Sequence, residues 1–415
     1  MNRMQGLPTI NKNFRELPFS QETARELLTI YGSPLYVYHG DRLRQTIAHI
    51  TQAIPYPHTQ FQFASVTNGN VALLQIFHAS GWGLHANTPG DIYLGLKAGF
   101  TPNQIVYSGS NLNRAEMEQL FNWGVTTLNL DSLSQLQLFC DVYEEILPVN
   151  SLQQPPKLGL RLNLPEITGE SRIGVRPFEF PTAIEMLKFV RLKLKGLHFY
   201  RGTGINVTQA FTQVINSIID TARQLPDWDY LDFGGGFGYP YHADGASFDW
   251  NCFGKELTET LSKIKRDIDL IIEPGRAAIA GCGTLLTKVV SVKWQESKQL
   301  IGVDTTVANL SVPSVHGGYR EIVTIGAINK VPLYSTDVCG NTTYSRDYLG
   351  KNCQLPALQI GDILAVLDVG AYGYAMSSHF LHRPRPAEVL LENGQHRLIR
   401  QREDYNVLLN HQVFN

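Results

Sequence analysis

The chain is poor in several things, and each scarcity removes a class of function. Its cysteines, Cys140, Cys252, Cys282, Cys339 and Cys353, form an odd set with no C-x-x-C spacing. That argues against a disulfide framework and against a structural zinc site, and it suits a reducing cytoplasm. Charge of one sign is missing too: 35 Lys and Arg face 37 Asp and Glu, for a formal net charge of −2. There is no basic stripe for nucleic acid and no polybasic patch for a membrane. No apolar run reaches the roughly 18–20 residues that would span a bilayer, and the lead from Met1 to Arg15 is polar with no signal-length apolar core. Repeats and low-complexity tracts are absent. Lysine is missing from the whole stretch between Asn13 and Leu96.

What remains suits a soluble protein with a small-molecule ligand. At 415 residues with 43% apolar content, two cores are expected and both can be filled. After a short helix (Gln21 to Tyr31), a strand at Tyr36–His39 and a helix-like Asp41 to Ala53, a rhythm of strand then helix sets in. Strand-like runs at Phe61–Val66, Gly83–Asn87, Gln104–Ser110, Thr126–Asp131, Lys157–Asn163, Leu194–Arg201, Tyr230–Phe237 and Asp269–Glu273 alternate with segments of helical periodicity, Val71–Ala79, Arg114–Phe121 and Val207–Gln224 among them. Eight such units predict a (β/α)8 TIM barrel over 40–280, with its ligand site at the carboxyl ends of the strands. Beyond about Ala280, short β-branched runs (Leu285–Trp294, Gln299–Val303, Glu321–Ile325, Ile363–Leu367) predict a β-domain over 281–415. The lead and first strand, residues 1–39, are expected to pack with it.

At the end of the seventh barrel strand stands Leu231-Asp232-Phe233-Gly234-Gly235-Gly236-Phe237-Gly238. Consecutive glycines can take positive φ and turn their N–H groups inward, which makes a cup for an anion such as phosphate. A glycine cluster after a strand also serves as a plain tight turn. The other strand ends bring Val66-Thr67-Asn68, His85, Ser108, Arg161, His198, Tyr200, Thr203 and Glu273-Pro274-Gly275-Arg276 to the same face. Glu273 and Arg276 are either a self-paired salt bridge or groups for opposite ends of one ligand, the guanidinium meeting an anion and the carboxylate a protonated ring nitrogen. An anion cup with such a carboxylate suits pyridoxal phosphate.

Glu273-Pro274-Gly275-Arg276, the glycine stretch, Gly196-Leu197-His198-Phe199, Asp368-Val369-Gly370-Ala371-Tyr372-Gly373 and Arg383-Pro384-Arg385-Pro386-Ala387-Glu388-Val389 resemble, in order and spacing, motifs of the fold-type III pyridoxal-phosphate decarboxylases, the diaminopimelate, ornithine and arginine decarboxylase group. The resemblance runs from about residue 35 to 391. It implies an alanine-racemase-like (β/α)8 barrel, a C-terminal β-domain, and a homodimer whose two active sites draw residues from both subunits. It makes Gly234, Gly235 and Gly236, with Thr203, Arg276 and Tyr372, the phosphate group and Glu273 the partner of the pyridine nitrogen; Gly275 and Arg161 complete the cofactor-facing set. Without the other motifs Tyr372 would read as a core tyrosine.

The chain departs from the resemblance where the chemistry would be done. The family's cofactor lysine lies in a run similar to Phe63-Ala64-Ser65-Val66-Thr67-Asn68, and Val66 stands at its position. Valine has no amine with which to hold an aldehyde. The family's aspartate after the second strand falls on His85, its nearby glutamate on Asp91, and its ring-stacking histidine on Tyr200, an aromatic that can still stack. The second-subunit Gly-Pro-x-Cys-Glu-x-x-Asp motif falls on Gly340 to Asp347, placing Thr343 at the cysteine and Tyr344 at the glutamate while keeping Asp347. Cys339 lies just upstream. Val312-Pro313-Ser314-Val315-His316 replaces the Arg-Pro-x-x-Tyr that grips diaminopimelate's far carboxylate, so diaminopimelate itself is not the expected substrate and a less charged one is. One reading is an enzyme that binds pyridoxal phosphate or pyridoxamine phosphate without a covalent bond and acts on an amino acid or amine. His85 is then the expected proton carrier, with Tyr344, Asp347 and Thr343 as further catalytic candidates and no metal. His85 also has a plain structural reading. The other reading is a catalytically inactive homologue with a regulatory or scaffolding role.

Overall fold

The computed structural model describes residues 17–146, 155–326 and 332–414. Most of the polar lead lies outside them, up to residue 16. The described chain begins its first helix, Gln21–Tyr31, behind Ser20, whose hydroxyl accepts the Thr23 amide at 3.0 Å. Ala24, Leu27 and Leu28 form the buried face of that helix.

β1 (Leu35–His39) then leads to eight parallel strands that close on themselves: β2 (Thr59–Ala64), β3 (Gly83–Ala86), β4 (Ile105–Tyr107), β5 (Thr127–Leu130), β6 (Lys157–Arg161), β7 (Leu194–His198), β8 (Tyr230–Asp232) and β9 (Asp269–Ile272). The barrel is sealed where β9 pairs with β2, Phe61 opposite Ile272. This is the TIM barrel that the strand–helix rhythm predicts. The strands are shorter than their apolar runs. The residues that follow them leave the ladder to build the site: Ser65–Thr67 is a 3-10 turn, and the chain beyond Asp232 is the glycine loop. The helix expected over Val207–Gln224 is two, Gln209–Thr212 and Ile215–Ala222.

Inside the barrel, side chains stack in layers. Val106, Tyr230 and Ile271 form one buried cluster. Glycines on adjoining strands make room for Tyr230. A Cβ at Gly196 would lie 2.1 Å from the Tyr230 ring, and one at Gly159 would lie 2.3 Å from its hydroxyl. That hydroxyl donates to Asn129 at 2.8 Å, and the Asn129 amide donates to Asp232 at 2.8 Å and Ser108 at 3.0 Å. An apolar floor therefore passes into a polar layer toward the carboxyl ends of the strands.

The second unit is a mixed sheet of β10 (Gly283–Gln295), β11 (Lys298–Val303), β12 (Ile322–Ile325), β13 (Leu333–Cys339), β14 (Tyr348–Pro356), β15 (Ile363–Val366), β16 (Ala387–Glu392) and β17 (Gln395–Arg400). β1 joins it, antiparallel to β10 and parallel to β16. Sheet and barrel are stitched together beside β2. Asn68 donates to the Gly370 carbonyl at 3.1 Å, Tyr372 N donates to the Thr67 carbonyl at 2.9 Å, and Asn70 donates to Glu388 at 2.8 Å. No described helix is long and apolar enough to cross a membrane.

Candidate active site

The glycine loop after β8 is held open by its own backbone. Gly234 has φ +65 and its amide donates to Asp232 Oδ1 at 3.0 Å, while Gly236 has φ +97. Side chains cannot replace these residues: a Cβ at Gly234 would lie 2.0 Å from the Phe199 carbonyl, one at Gly235 2.6 Å from the Glu273 carbonyl, and one at Gly236 2.1 Å from the Gly202 carbonyl. Glu273 N donates to the Gly234 carbonyl and Ile205 N to the Gly236 carbonyl, each at 2.9 Å, so the loop is tied to β9 and to the 202–206 turn.

A cavity of about 220 Å³ opens on this loop. Gly235, Gly236, Thr203, Gly204, Gly275, Arg276 and Tyr372 line one end; Glu273, His85, His198, Arg161 and Tyr200 line the other, with Val66 and Asn87 at the side. The cofactor-facing residues expected from sequence thus converge, apart from Gly234, which supports the loop from behind. Tyr372 reaches the cavity in a left-handed conformation, φ +57, uncommon for a residue with a Cβ. The Arg276 guanidinium sits over the Tyr372 ring at 5.1 Å, and no described residue accepts a hydrogen bond from its buried Nε. Tyr200 shares a 2.6 Å hydrogen bond with Thr203 and carries the Arg161 guanidinium over its ring at 5.0 Å, which fixes that ring beside the cavity.

Glu273 is the electrostatic centre. Two imidazoles converge on its Oε2, His198 Nε2 at 3.3 Å and His85 Nε2 at 3.5 Å, and its Oε1 has no hydrogen-bond partner among the described residues. Burial pushes its carboxyl up to about 7, against the pull of Asp232 and the Arg161 charge. Burial holds His198 down at about 4 and His85 well below the ordinary histidine range, with the neighbouring charges of His198 and Arg161 adding to the effect on His85. Both imidazoles are therefore neutral near pH 7. Burial, with the Glu273 charge beside it, raises the Asp232 carboxyl well above the ordinary carboxylate range. His198, Asp232 and Glu273 lie close enough for a metal ion. The Asp232 oxygens already accept from Asn129 and from the Gly234 amide.

Of the remaining candidates, only Val66 reaches the cavity within one chain. Val66, 43% exposed on the 3-10 turn, faces the cavity, and no lysine is among the residues that line it. Thr343 is exposed, and Tyr344 packs edge-on against Phe380 with ring centroids 5.4 Å apart. Asp347 is buried with its carboxylate engaged: Val307 N donates at 2.7 Å, Thr342 N at 3.1 Å, Thr342 Oγ1 at 2.5 Å and Thr306 Oγ1 at 3.2 Å. None of these three lines the cavity. Asp91 belongs to a helix cap, accepting from the Asn87 and Thr88 amides at 3.0 Å. Sequence reasoning placed His198 at the strand ends without giving it a role, and it left Asp232 and Asn129 out of the site. Asp232 had a signal, since it stands two residues before the first cup glycine.

Comparison with known proteins agrees with this geometry. A family model described as "Pyridoxal-dependent decarboxylase, pyridoxal binding domain" matches residues 41–280. The chain is 32% identical to a diaminopimelate decarboxylase of Methanothermobacter thermautotrophicus over 400 residues, 93% of each chain. It is 30% identical to one of Aquifex aeolicus, covering 95% of each. Among solved structures it is similar to diaminopimelate decarboxylase from Helicobacter pylori complexed with L-lysine, with TM-score 0.84, 26% identity, and coverage of 93% of this chain and 98% of that one.

Proposed function

Because this chain belongs to the pyridoxal-dependent decarboxylase family, we propose that it binds pyridoxal phosphate or pyridoxamine phosphate without a covalent bond and acts on an amino acid or amine. The observation that carries the proposal is a cavity that keeps the groups for both ends of the cofactor and has Val66 where the family's lysine would be.

The residues present fit the group. The Gly235 and Gly236 amides, the Thr203 hydroxyl and the Arg276 guanidinium would hold the phosphate, with Tyr372 beside them. Tyr200 would stack on the ring. Glu273, whose Oε1 lacks a partner, would accept from the ring N–H. When bound, the cofactor supplies an electron sink for the charge left by a departing carboxyl group. Glu273 would hold a proton on the ring nitrogen, and neutral His198, hydrogen-bonded to its Oε2 at 3.3 Å, would keep its carboxylate from turning away. His85, with both ring nitrogens buried and without a hydrogen-bond partner among the described residues, would be the proton carrier. Arg161 offsets part of the cost of charging Glu273 in a buried site. Tyr344, Thr343 and Asp347 would act only across a homodimer interface.

The lack of an amine at position 66 favours one second reading, an inactive homologue that keeps fold and dimer. Titration of the purified protein with pyridoxal phosphate and with pyridoxamine phosphate, followed by absorbance and by heat, separates the two. Saturable binding of either, one per chain, is expected; no binding of either overturns the cofactor reading. In Val66→Lys, borohydride after pyridoxal phosphate should leave a covalent label that the parent chain lacks.

A further inference from the structure

A second cavity, of about 330 Å³, lies on the seam between barrel and sheet and shares no lining residue with the cofactor cavity. Arg42 and Tyr239 line it from the barrel and Leu367 and Asp368 from the sheet, with Gly281 between them and Pro18 at the edge. Pro18, Arg42 and Tyr239 are each partly exposed, so solvent reaches it. Its volume falls in the range of small-molecule sites, which begins at about 300 Å³.

The cavity holds two opposite charges, and both stand at unfavourable positions. Arg42 is in the first turn of the helix Gly40–Ala53, where the helix dipole disfavours a cation. Its guanidinium reaches the Tyr239 hydroxyl at 3.4 Å and forms no ion pair among the described residues. Asp368 has left-handed backbone, φ +58, and accepts from the same hydroxyl at 2.8 Å. The phenol thus stands between the charges. Gly281 admits it, since a Cβ there would lie 2.6 Å from the hydroxyl.

We infer that this cavity is a regulatory site for a free α-amino acid with a small apolar side chain, its carboxylate on Arg42, its ammonium on Asp368 and its side chain against Leu367 and Pro18. A simple anion would be repelled by Asp368 and a simple amine by Arg42, whereas a zwitterion meets both. Tyr239 follows Gly236 of the cup by three residues, Gly238 N donates to the Ile205 carbonyl at 2.9 Å, and Asp368 precedes Tyr372 by four residues. An occupant that draws Asp368 from Tyr239 therefore loosens the phosphate end and weakens pyridoxamine phosphate binding, and by linkage pyridoxamine phosphate weakens the occupant equally. The coupling rests on the cofactor reading above; the site itself does not.

Calorimetry on the full chain with L-valine and L-leucine is the test, against L-leucinamide, which lacks the carboxylate, and 4-methylpentanoate, which lacks the amine. The amino acids should bind about tenfold or more tighter than either truncated analogue. Arg42→Met should erase that preference and, with no amino acid present, leave pyridoxamine phosphate affinity within about twofold. Asp368→Asn should erase it too, and it carries the test if Arg42→Met does not fold. Saturating L-leucine should weaken pyridoxamine phosphate binding by about threefold or more. No binding of either amino acid, equal binding of the analogues, or a preference that survives both substitutions overturns the site. Unchanged pyridoxamine phosphate affinity in saturating L-leucine overturns the coupling. If pyridoxamine phosphate itself does not bind, the cofactor reading and the coupling fall together, and the analogue series still decides the site.

Discussion

The strand ends that meet at Glu273 and the segments around Asp91 and Asp347 are both rich in polar groups, yet they use them in opposite ways. At the first, buried polar atoms are left waiting: Glu273 Oε1, His198 Nδ1, both nitrogens of His85 and Arg276 Nε have no hydrogen-bond partner. At the second, both carboxylates are spent on amides and hydroxyls of the chain. Asp91 accepts from two amides and the Ser65 and Thr88 hydroxyls, and Asp347 from two amides and two hydroxyls. Buried polar groups in folded chains are nearly always satisfied, so the unsatisfied cluster marks the face that meets a ligand and the satisfied ones mark architecture. A motif alignment weighs all these carboxylates alike. Their bonding separates them.

The contrast breaks first at Arg276. If the unsatisfied face is the cofactor face, Arg276→Ala removes the one guanidinium among the described residues that lines the phosphate end of the cavity, and affinity for pyridoxamine phosphate should fall about 100-fold by calorimetry. Thermal stability should hold or rise, because the arginine pairs with no described carboxylate. An unchanged affinity would mean that the cup does not hold phosphate.

Glu273 sharpens the contrast through pH. Its carboxyl sits at about 7 in the folded chain against an ordinary 4.5, so the fold holds a proton that the unfolded chain has lost. Its contribution to stability is full below about pH 4.5 and fades as pH rises through 7. His198, lowered from 6.5 to about 4, runs the other way: its contribution is present above 6.5 and is lost as pH falls toward 4. Glu273→Gln removes the first term and leaves the second. The stability of the variant relative to the parent should therefore rise between about pH 5 and about pH 8, by about 2 kcal/mol. Denaturant melts of the cofactor-free protein at both pH values measure it, and a difference that does not change with pH would place Glu273 in an ordinary solvated environment.

Much of the scaffold could be read from the sequence, because the barrel imposes a strong local signal. β2 to β9 are largely buried and, β9 with its four-residue Arg276–Ile279 apart, each is followed by longer helical segments, and the glycine cup and the Glu273 turn declare themselves by composition. β13, β14 and β17 gave less: Tyr348–Pro356 and Gln395–Arg400 are largely solvent-facing and polar, and their pairing is set by partners distant in sequence. The site was legible as a list of residue types at strand ends. What the list could not carry was bonding. His198 and His85 meet on one carboxylate oxygen from separate strands, and Arg320 reaches Tyr241 from beyond the barrel. Spacing along the chain does not encode such meetings.

The smallest effect concerns Asp347, which sequence places in catalysis and whose bonds place it in the turn. A Cβ at Gly340 would lie 2.1 Å from its carboxylate, so the turn closes directly on this side chain. Asp347→Asn keeps the shape, and it turns one acceptor into a donor that faces the Val307 and Thr342 amides. The expected cost is about 1 kcal/mol of stability, with pyridoxamine phosphate affinity unchanged. If affinity falls while stability holds, Asp347 acts on the ligand across a subunit interface, and saturated bonding within one chain is no guide to architecture at that turn.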